Sequence, residues 1–285
     1  MIDFFCKECY NANIFWVRRC FIIMRLGRIQ NNYSLEGFQL VKEQQLSFVE
    51  VCCNSEEEAL NLVAKKADIK KAMEQTGIDV SSIGRWGHGK LQENGIVVPE
   101  RKESYFKLLD AAMELGAKTF VCGINYDDSI SLYRNYVNAV DFFGELTDRS
   151  KDNPIKVALH NCDWDNFVIA PKQWEVLLSE NPDLYIKFDP SHSYNHGENY
   201  LDVLSDWCER VAHMHIKGTC HAGKRWVDDP PAGMDDIQWP SLFAILYARG
   251  YDGDLSIEPH SATWSGELGN KGVLFTRDYI KQFLL

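Results

Sequence analysis

No apolar run in this chain approaches the roughly 18–20 residues that a membrane span needs, so no membrane partner is expected. No stripe rich in lysine and arginine occurs either. With 30 Lys+Arg against 41 Asp+Glu, the formal net charge is −11, a balance that repels polyanions and argues against a nucleic-acid partner. The first apolar run leads into Gly27-Arg28-Ile29-Gln30-Asn31 rather than a GxGxxG turn, which counts against an open dinucleotide-binding sheet. A glycine-rich phosphate cradle is also missing, so an unphosphorylated substrate is expected at least as readily as a phosphorylated one. The nine cysteines form an odd set without regular spacing, and a reduced, cytoplasmic protein is the simplest reading. Cys6-Lys7-Glu8-Cys9 is a lone CxxC, with only Cys20 nearby, whereas a structural zinc site needs a second pair.

What is present is a βα rhythm in a chain of ordinary globular composition, 45% hydrophobic and 25% charged. Strands are expected at 21–28, 47–52, 79–84, 118–123, 156–160, 185–189, 211–217 and 254–258. Helical patterns fall between and after them, at 35–44, 55–76, 99–115, 130–149, 171–178, 200–208, 237–248 and 271–284. Ser34, Ser55 and Asp236 stand where N-caps belong, and Gly77, Gly116 and Gly250 where helices stop. Eight strands alternating with eight helices predict an α/β fold, a single-domain (β/α)8 TIM barrel over residues 24–285. Residues 1–23 read as an N-terminal extension of unknown role. Asp3, Lys7 and Glu8 break any signal-like apolar core there, and Met24-Arg25-Leu26-Gly27 makes a natural start for the fold. Thr219 to Met234 is the longest irregular stretch and is expected to cover the barrel mouth.

Three expected strands end in polar clusters: Ile186-Lys187-Phe188-Asp189-Pro190-Ser191-His192, Val211 to Gly218, and Leu255 to His260. Strand side chains alternate between faces. Ile186 and Phe188, Met214 and Ile216, and Leu255 and Ile257 can therefore pack under helices while Asp189, His215 and Glu258 point the other way. All eight histidines lie at or after residue 88. His88, His160, His192, His215 and His260 fall at or just past C-terminal strand ends, the rim where such barrels keep their chemistry. Asp, His and Glu on neighbouring strand ends suit a divalent metal with open positions; the bland alternative is a hydrogen-bonded polar cluster of the barrel. Glu50 suits either a substrate hydroxyl or a core ion pair, and His88 either substrate or plain loop. Trp164 and Trp264 can stack on a sugar or pack in the core. Lys187 is expected to neutralise the carboxylates, and His213 to support His215.

These motifs, with Gly233-Met234-Asp235-Asp236-Ile237-Gln238-Trp239 and Gly250 to Glu258, resemble the sugar phosphate isomerase/epimerase family of xylose isomerase-like barrels, over Met24 to Leu285. The resemblance implies one divalent metal ion (Mn, Co, Zn, Fe or Mg) held by four strand ends, with Asp189, His215 and Glu258 filling the last three places. It also implies that His192 and Lys217 face a small carbohydrate substrate, with His260 reaching the same mouth, and that barrels associate as dimers or tetramers. At the first place the family has a Glu; this chain has His160, in Leu159-His160-Asn161-Cys162-Asp163-Trp164-Asp165. His160 is the favoured fourth ligand, with Asp163 or Asp165 as loop alternatives.

The implied activity is a metal-dependent isomerase or epimerase acting on a sugar or keto-sugar by proton abstraction next to a carbonyl. Glu258 and a rim histidine, His160 or His192, would move the proton. With one of the family's two glutamates replaced, weight moves toward a lyase or dehydratase acting on a 3-keto-sugar or keto-inositol. A non-catalytic sugar-binding barrel is the rival from another class. A nuclease of the same superfamily is disfavoured by the acidic charge and the shortage of further ligands.

Overall fold

The eight apolar runs become eight parallel strands that close on themselves. The computed structural model describes residues 23–87 and 89–285; the expected extension, the Cys6–Cys9 pair and His88 lie outside the described residues. The strands are β1 (Arg25–Ile29), β2 (Phe48–Cys53), β3 (Asp79–Arg85), β4 (Thr119–Cys122), β5 (Lys156–His160), β6 (Leu184–Phe188), β7 (Val211–Ile216) and β8 (Asp254–Ile257). Each pairs with its sequence neighbours, and β1 closes the barrel on β8 with Arg25 opposite Asp254 and Arg28 opposite Ile257.

Around the barrel lie α1 (Leu35–Glu43), α2 (Glu56–Ala64), α3 (Lys66–Thr76), α4 (Pro99–Glu114), α5 (Leu132–Ser150), α6 (Pro171–Glu180), α7 (Pro190–Asn195), α8 (Tyr200–Trp207), α9 (Trp239–Arg249) and α10 (Gly266–Lys281). Ser34 and Ser55 cap as expected, accepting from the N–H of Gly37 and Glu58. Gly77 and Gly250 end α3 and α9 in the left-handed conformation, at φ 74° and 71°, where a Cβ would be strained. Asp236 is not a cap. α9 starts three residues later, and the Asp236 carboxylate instead accepts from the His221 N–H.

Three features differ from the sequence expectation. The long helix over 55–76 divides at Lys65, whose backbone (φ −98°, ψ 10°) leaves the helical region. The stretch after β7 is only partly irregular: Cys220–Ala222 and Arg225–Asp228 form an antiparallel hairpin, and Asp228 and Asp229 reach Trp264 and His260. A short hairpin, Gln92–Glu93 with Ile96–Val97, follows β3.

Alternation along the strands divides the interior. The outward set, including Val49, Val51, Ile186, Phe188, Met214, Ile216, Leu255 and Ile257, joins the main core beneath the helices. Inside the barrel, Cys52, Trp86, Val121 and Ala158 form a small apolar layer flanked by Ile29 and Tyr185. A one-residue irregularity between Ile186 and Lys187 sets Lys187 opposite His213. At the N-terminal end the Arg25 guanidinium pairs with both oxygens of Asp254, at 2.9 and 2.6 Å, closing the floor below the chemistry.

Candidate metal centre at the barrel mouth

Successive inward positions on β6, β7 and β8 deliver the polar residues to one place. Asp189 follows the last residue of β6 and is the N-cap of α7, with Pro190 at the first helical position, an arrangement Asp-Pro favours. Its Oδ1 accepts from the Ser191 N–H at 2.9 Å and the Ser191 hydroxyl at 2.7 Å. Its backbone is locked to β5: Asp189 N–H donates to Asn161 Oδ1 at 2.9 Å, and Asn161 Nδ2 donates to Asp189 O at 2.8 Å. With Oδ1 engaged, Oδ2 points into the site, buried and without a hydrogen-bond partner. An orphaned buried carboxylate oxygen is the mark of a place that awaits an ion or ligand.

His215 is wholly buried between two glutamates. Its Nε2 lies 3.1 and 3.0 Å from the two oxygens of Glu50, and its Nδ1 lies 2.8 Å from Glu258 Oε2 and 3.8 Å from Asp189 Oδ2. The donor atoms of Asp189, His215 and Glu258 all fall within 4.8 Å of one another. Two carboxylates and an imidazole at this spacing fit a divalent cation.

Electrostatics favour charged carboxylates. Burial pushes Asp189 up, but the charges of Lys217 and Lys187 outweigh it and hold its carboxyl below the usual range. Glu258 is likewise held well below that range, with Lys217 and His215 overcoming burial. Burial opposes charge on His215, yet Glu50 and Glu258 raise it above the ordinary value. Lys217 Nζ sits 3.6 Å from Asp189 Oδ2 and 4.0 Å from Glu258 Oε2; these carboxylates raise it despite burial. His192 is driven well below its ordinary value, first by burial and then by Lys217. Its Nε2 is therefore a neutral acceptor for Lys217 Nζ at 3.2 Å.

Glu50 is fully buried on His215 and His213, the latter at 2.8 Å, and the donor atoms of these three residues also lie within 4.8 Å of one another. His160, the expected fourth ligand, is not among the residues whose donor atoms converge; its ring is stacked on Trp86 with centroids 5.6 Å apart. Burial, then Lys187, lowers its pKa to about 3, leaving it neutral. Asp163 is largely exposed and faces His196 at 3.8 Å, and Asp165 is exposed at a positive φ of 47°. Trp164 packs over Gly87, where a Cβ would meet the indole. His260 is half exposed and 3.2 Å from Asp229. His192, Trp164, Glu258, His260 and Trp264 all line a mouth cavity of about 590 Å³.

Sequence reasoning missed Trp86, which stacks on His160 and lies 5.4 Å from the His215 ring. It also missed Asn161, whose side chain locks two strand ends. Nothing in the spacing marks either residue. α7, by contrast, announces itself in Asp-Pro-Ser.

A model of the family described as xylose isomerase-like TIM barrel matches residues 38–279. The chain belongs to that family. Among solved structures, this xylose isomerase-like barrel is similar to 3-keto-D-glucoside 4-epimerase from E. coli, at 18% identity and TM-score 0.73 over 91% of this chain and 99% of that one. It is also similar to D-psicose 3-epimerase from Clostridium cellulolyticum H10, at 14% identity and TM-score 0.73 over 92% and 99%. D-allulose 3-epimerase from Methylomonas sp. matches at 15% identity and TM-score 0.72 over 91% and 97%. At these identities the likeness concerns the fold. No curated protein sequence matches the chain.

Proposed function

We propose that this barrel is a divalent-metal-dependent isomerase or epimerase that acts on a sugar or keto-sugar by taking a proton from the carbon next to a carbonyl. One observation supports this above all: Asp189, His215 and Glu258 converge at the mouth while Asp189 Oδ2 has no hydrogen-bond partner. The keto-sugar epimerases among the similar structures support the substrate class. Asp189, His215 and Glu258 would hold the cation, with His160 as the fourth donor in our reading. When bound, it supplies Lewis-acid polarisation of the carbonyl oxygen.

The chain's own residues do the rest. Glu258 lines the mouth as a carboxylate and takes the proton from carbon. Neutral His192, backed by Lys217, accepts or returns a proton at a substrate oxygen. Trp164 and Trp264 offer flat apolar faces to a sugar ring.

A lyase or dehydratase is the second reading. Glu258 is the only carboxylate among the described residues lining the mouth cavity, which suits removal of one proton with loss of a neighbouring substituent better than opposed acid–base chemistry.

Deuterium exchange next to the carbonyl tests both. Ketoses, 3-keto-glucosides and keto-inositols are incubated with protein and Mn in D2O and followed by NMR. Glu258→Gln should abolish exchange while circular dichroism stays unchanged. Full exchange in that variant would overturn the assignment. Exchange with retention of the carbon skeleton's hydroxyls supports isomerisation; loss of water or alcohol supports the lyase.

A further inference from the structure

Lys187 is the buried charged group at the mouth that this chemistry leaves unused. It enters the barrel from β6, two residues before Asp189, and its side chain has no exposed surface. Its Nζ makes no hydrogen bond. It lies 4.9 Å from the centre of the Trp86 ring and 3.8 Å from Asp189 Oδ2. Lys217 Nζ lies 3.6 Å from the same oxygen. Oδ2 thus has two ammonium groups and, at 3.5 Å, His192 Nε2 around it and is hydrogen-bonded by none of them.

A buried ammonium and a buried carboxylate oxygen that face each other beyond hydrogen-bond reach are costly to desolvate. The ammonium hydrogens of Lys187 are left for an additional oxygen ligand to accept. Charge points the same way. With His215 neutral, as a ligating imidazole must be, the centre holds three carboxylates, Glu50, Asp189 and Glu258, against two lysines, and the β5 end adds His160 rather than a fourth carboxylate. A dication entering this nearly balanced cluster leaves excess positive charge in a buried place, and an accompanying anion removes it.

Building on the functional reading above, we propose that Lys187 couples cation binding to an anionic, oxygen-chelating ligand of the enediolate type. The centre takes a divalent cation weakly alone and tightly together with that anion, one of whose oxygens accepts the hydrogen bond Lys187 Nζ lacks. Coupling of this kind is reciprocal: the cation tightens the anion by the same factor.

The test is Mn uptake by the full chain, measured by equilibrium dialysis and elemental analysis at one pH, with and without glycolohydroxamate as an enediolate-like anion. Values are corrected for the Mn complex of glycolohydroxamate in solution. Wild type, Lys187→Met and Lys187→Gln are compared, with thermal melting as the check of folding. Glycolohydroxamate should tighten Mn by about tenfold or more in wild type. Both variants should bind Mn alone more tightly and lose most of the coupling. Equal Mn affinity with and without the anion in wild type overturns the proposal, and so does coupling that persists in a folded variant. Mn binding that is tight and indifferent to both changes sinks the inference alone. Absence of Mn uptake under every condition sinks the metal reading with it.

Discussion

Glu50 selects the nitrogen that His215 turns to the barrel mouth. Both Glu50 oxygens lie about His215 Nε2, at 3.1 and 3.0 Å, leaving Nδ1 against Glu258 Oε2 at 2.8 Å. A carboxylate that holds one imidazole nitrogen fixes the ring and makes the other nitrogen the better donor. Glu50→Gln keeps the shape and removes the charge. Its affinity for Mn should fall by about 10–100-fold, read by calorimetric titration. Unchanged affinity would confine Glu50 to a core role.

The floor of the barrel sets the acid stability. Asp254 is buried and takes hydrogen bonds from Arg25, Ser81 and Lys118. Burial raises its carboxyl, but the bonds from Arg25 and Ser81 prevail and hold it below the ordinary value. A carboxyl depressed in the folded state contributes stability that is fully present above its unfolded pKa of about 3.9 and is lost as pH falls through the folded value. Asp254→Asn should therefore cost about 2–4 kcal/mol at pH 7 and progressively less as pH falls below about 3.9. Urea unfolding across a pH series measures the difference. A cost independent of pH would mean that the charge is not what matters.

The barrel and the convergence of Asp189, His215 and Glu258 were legible because each depends on local pattern. Period-two alternation places Asp189, His215 and Glu258 inside whenever Ile186, Met214 and Ile257 lie outside, and no long-range knowledge is needed. The hairpin at 220–228 and the lock between Asn161 and Asp189 were not legible, since each depends on which segments meet across the mouth. Glu50 was legible as a substrate contact or a core ion-pair partner, and local pattern does not choose between the two. Only the closed barrel shows that β2 faces β7 across the lumen, where both its oxygens are taken by His213 and His215. Lys187 stood in plain view next to Asp189, but its lack of any hydrogen bond is a property of three dimensions.

Asn161 carries the placement of Asp189. Its amide gives and takes one bond with the Asp189 backbone, and both partners are buried. Asn161→Ala leaves a buried N–H and C=O unpaired and should destabilise by about 2–4 kcal/mol. It should also weaken Mn binding, because Oδ2 is aimed by the backbone this pair holds. Denaturant titration and metal titration together test this. Loss of stability with intact Mn affinity would show that α7 and Ser191 aim the carboxylate unaided.

Gly123 tests whether His160 belongs to the centre. A Cβ on Gly123 would come within 2.6 Å of His160 Nε2 and 2.9 Å of Asn166 Oδ1. Neither neighbour yields cheaply. The imidazole is stacked on Trp86, and the Asn166 amide bonds the His160 and Cys162 carbonyls and the Ile124 N–H. Gly123→Ala should thus push the His160 ring from its place at a cost of about 1–3 kcal/mol while leaving Asp189, His215 and Glu258 untouched. If His160 is the fourth donor, Mn affinity should fall along with stability, and His160→Ala should reproduce the fall without a further effect in the double variant. If Mn affinity holds while stability drops, His160 is a packing partner of Trp86, and the cation has three protein donors.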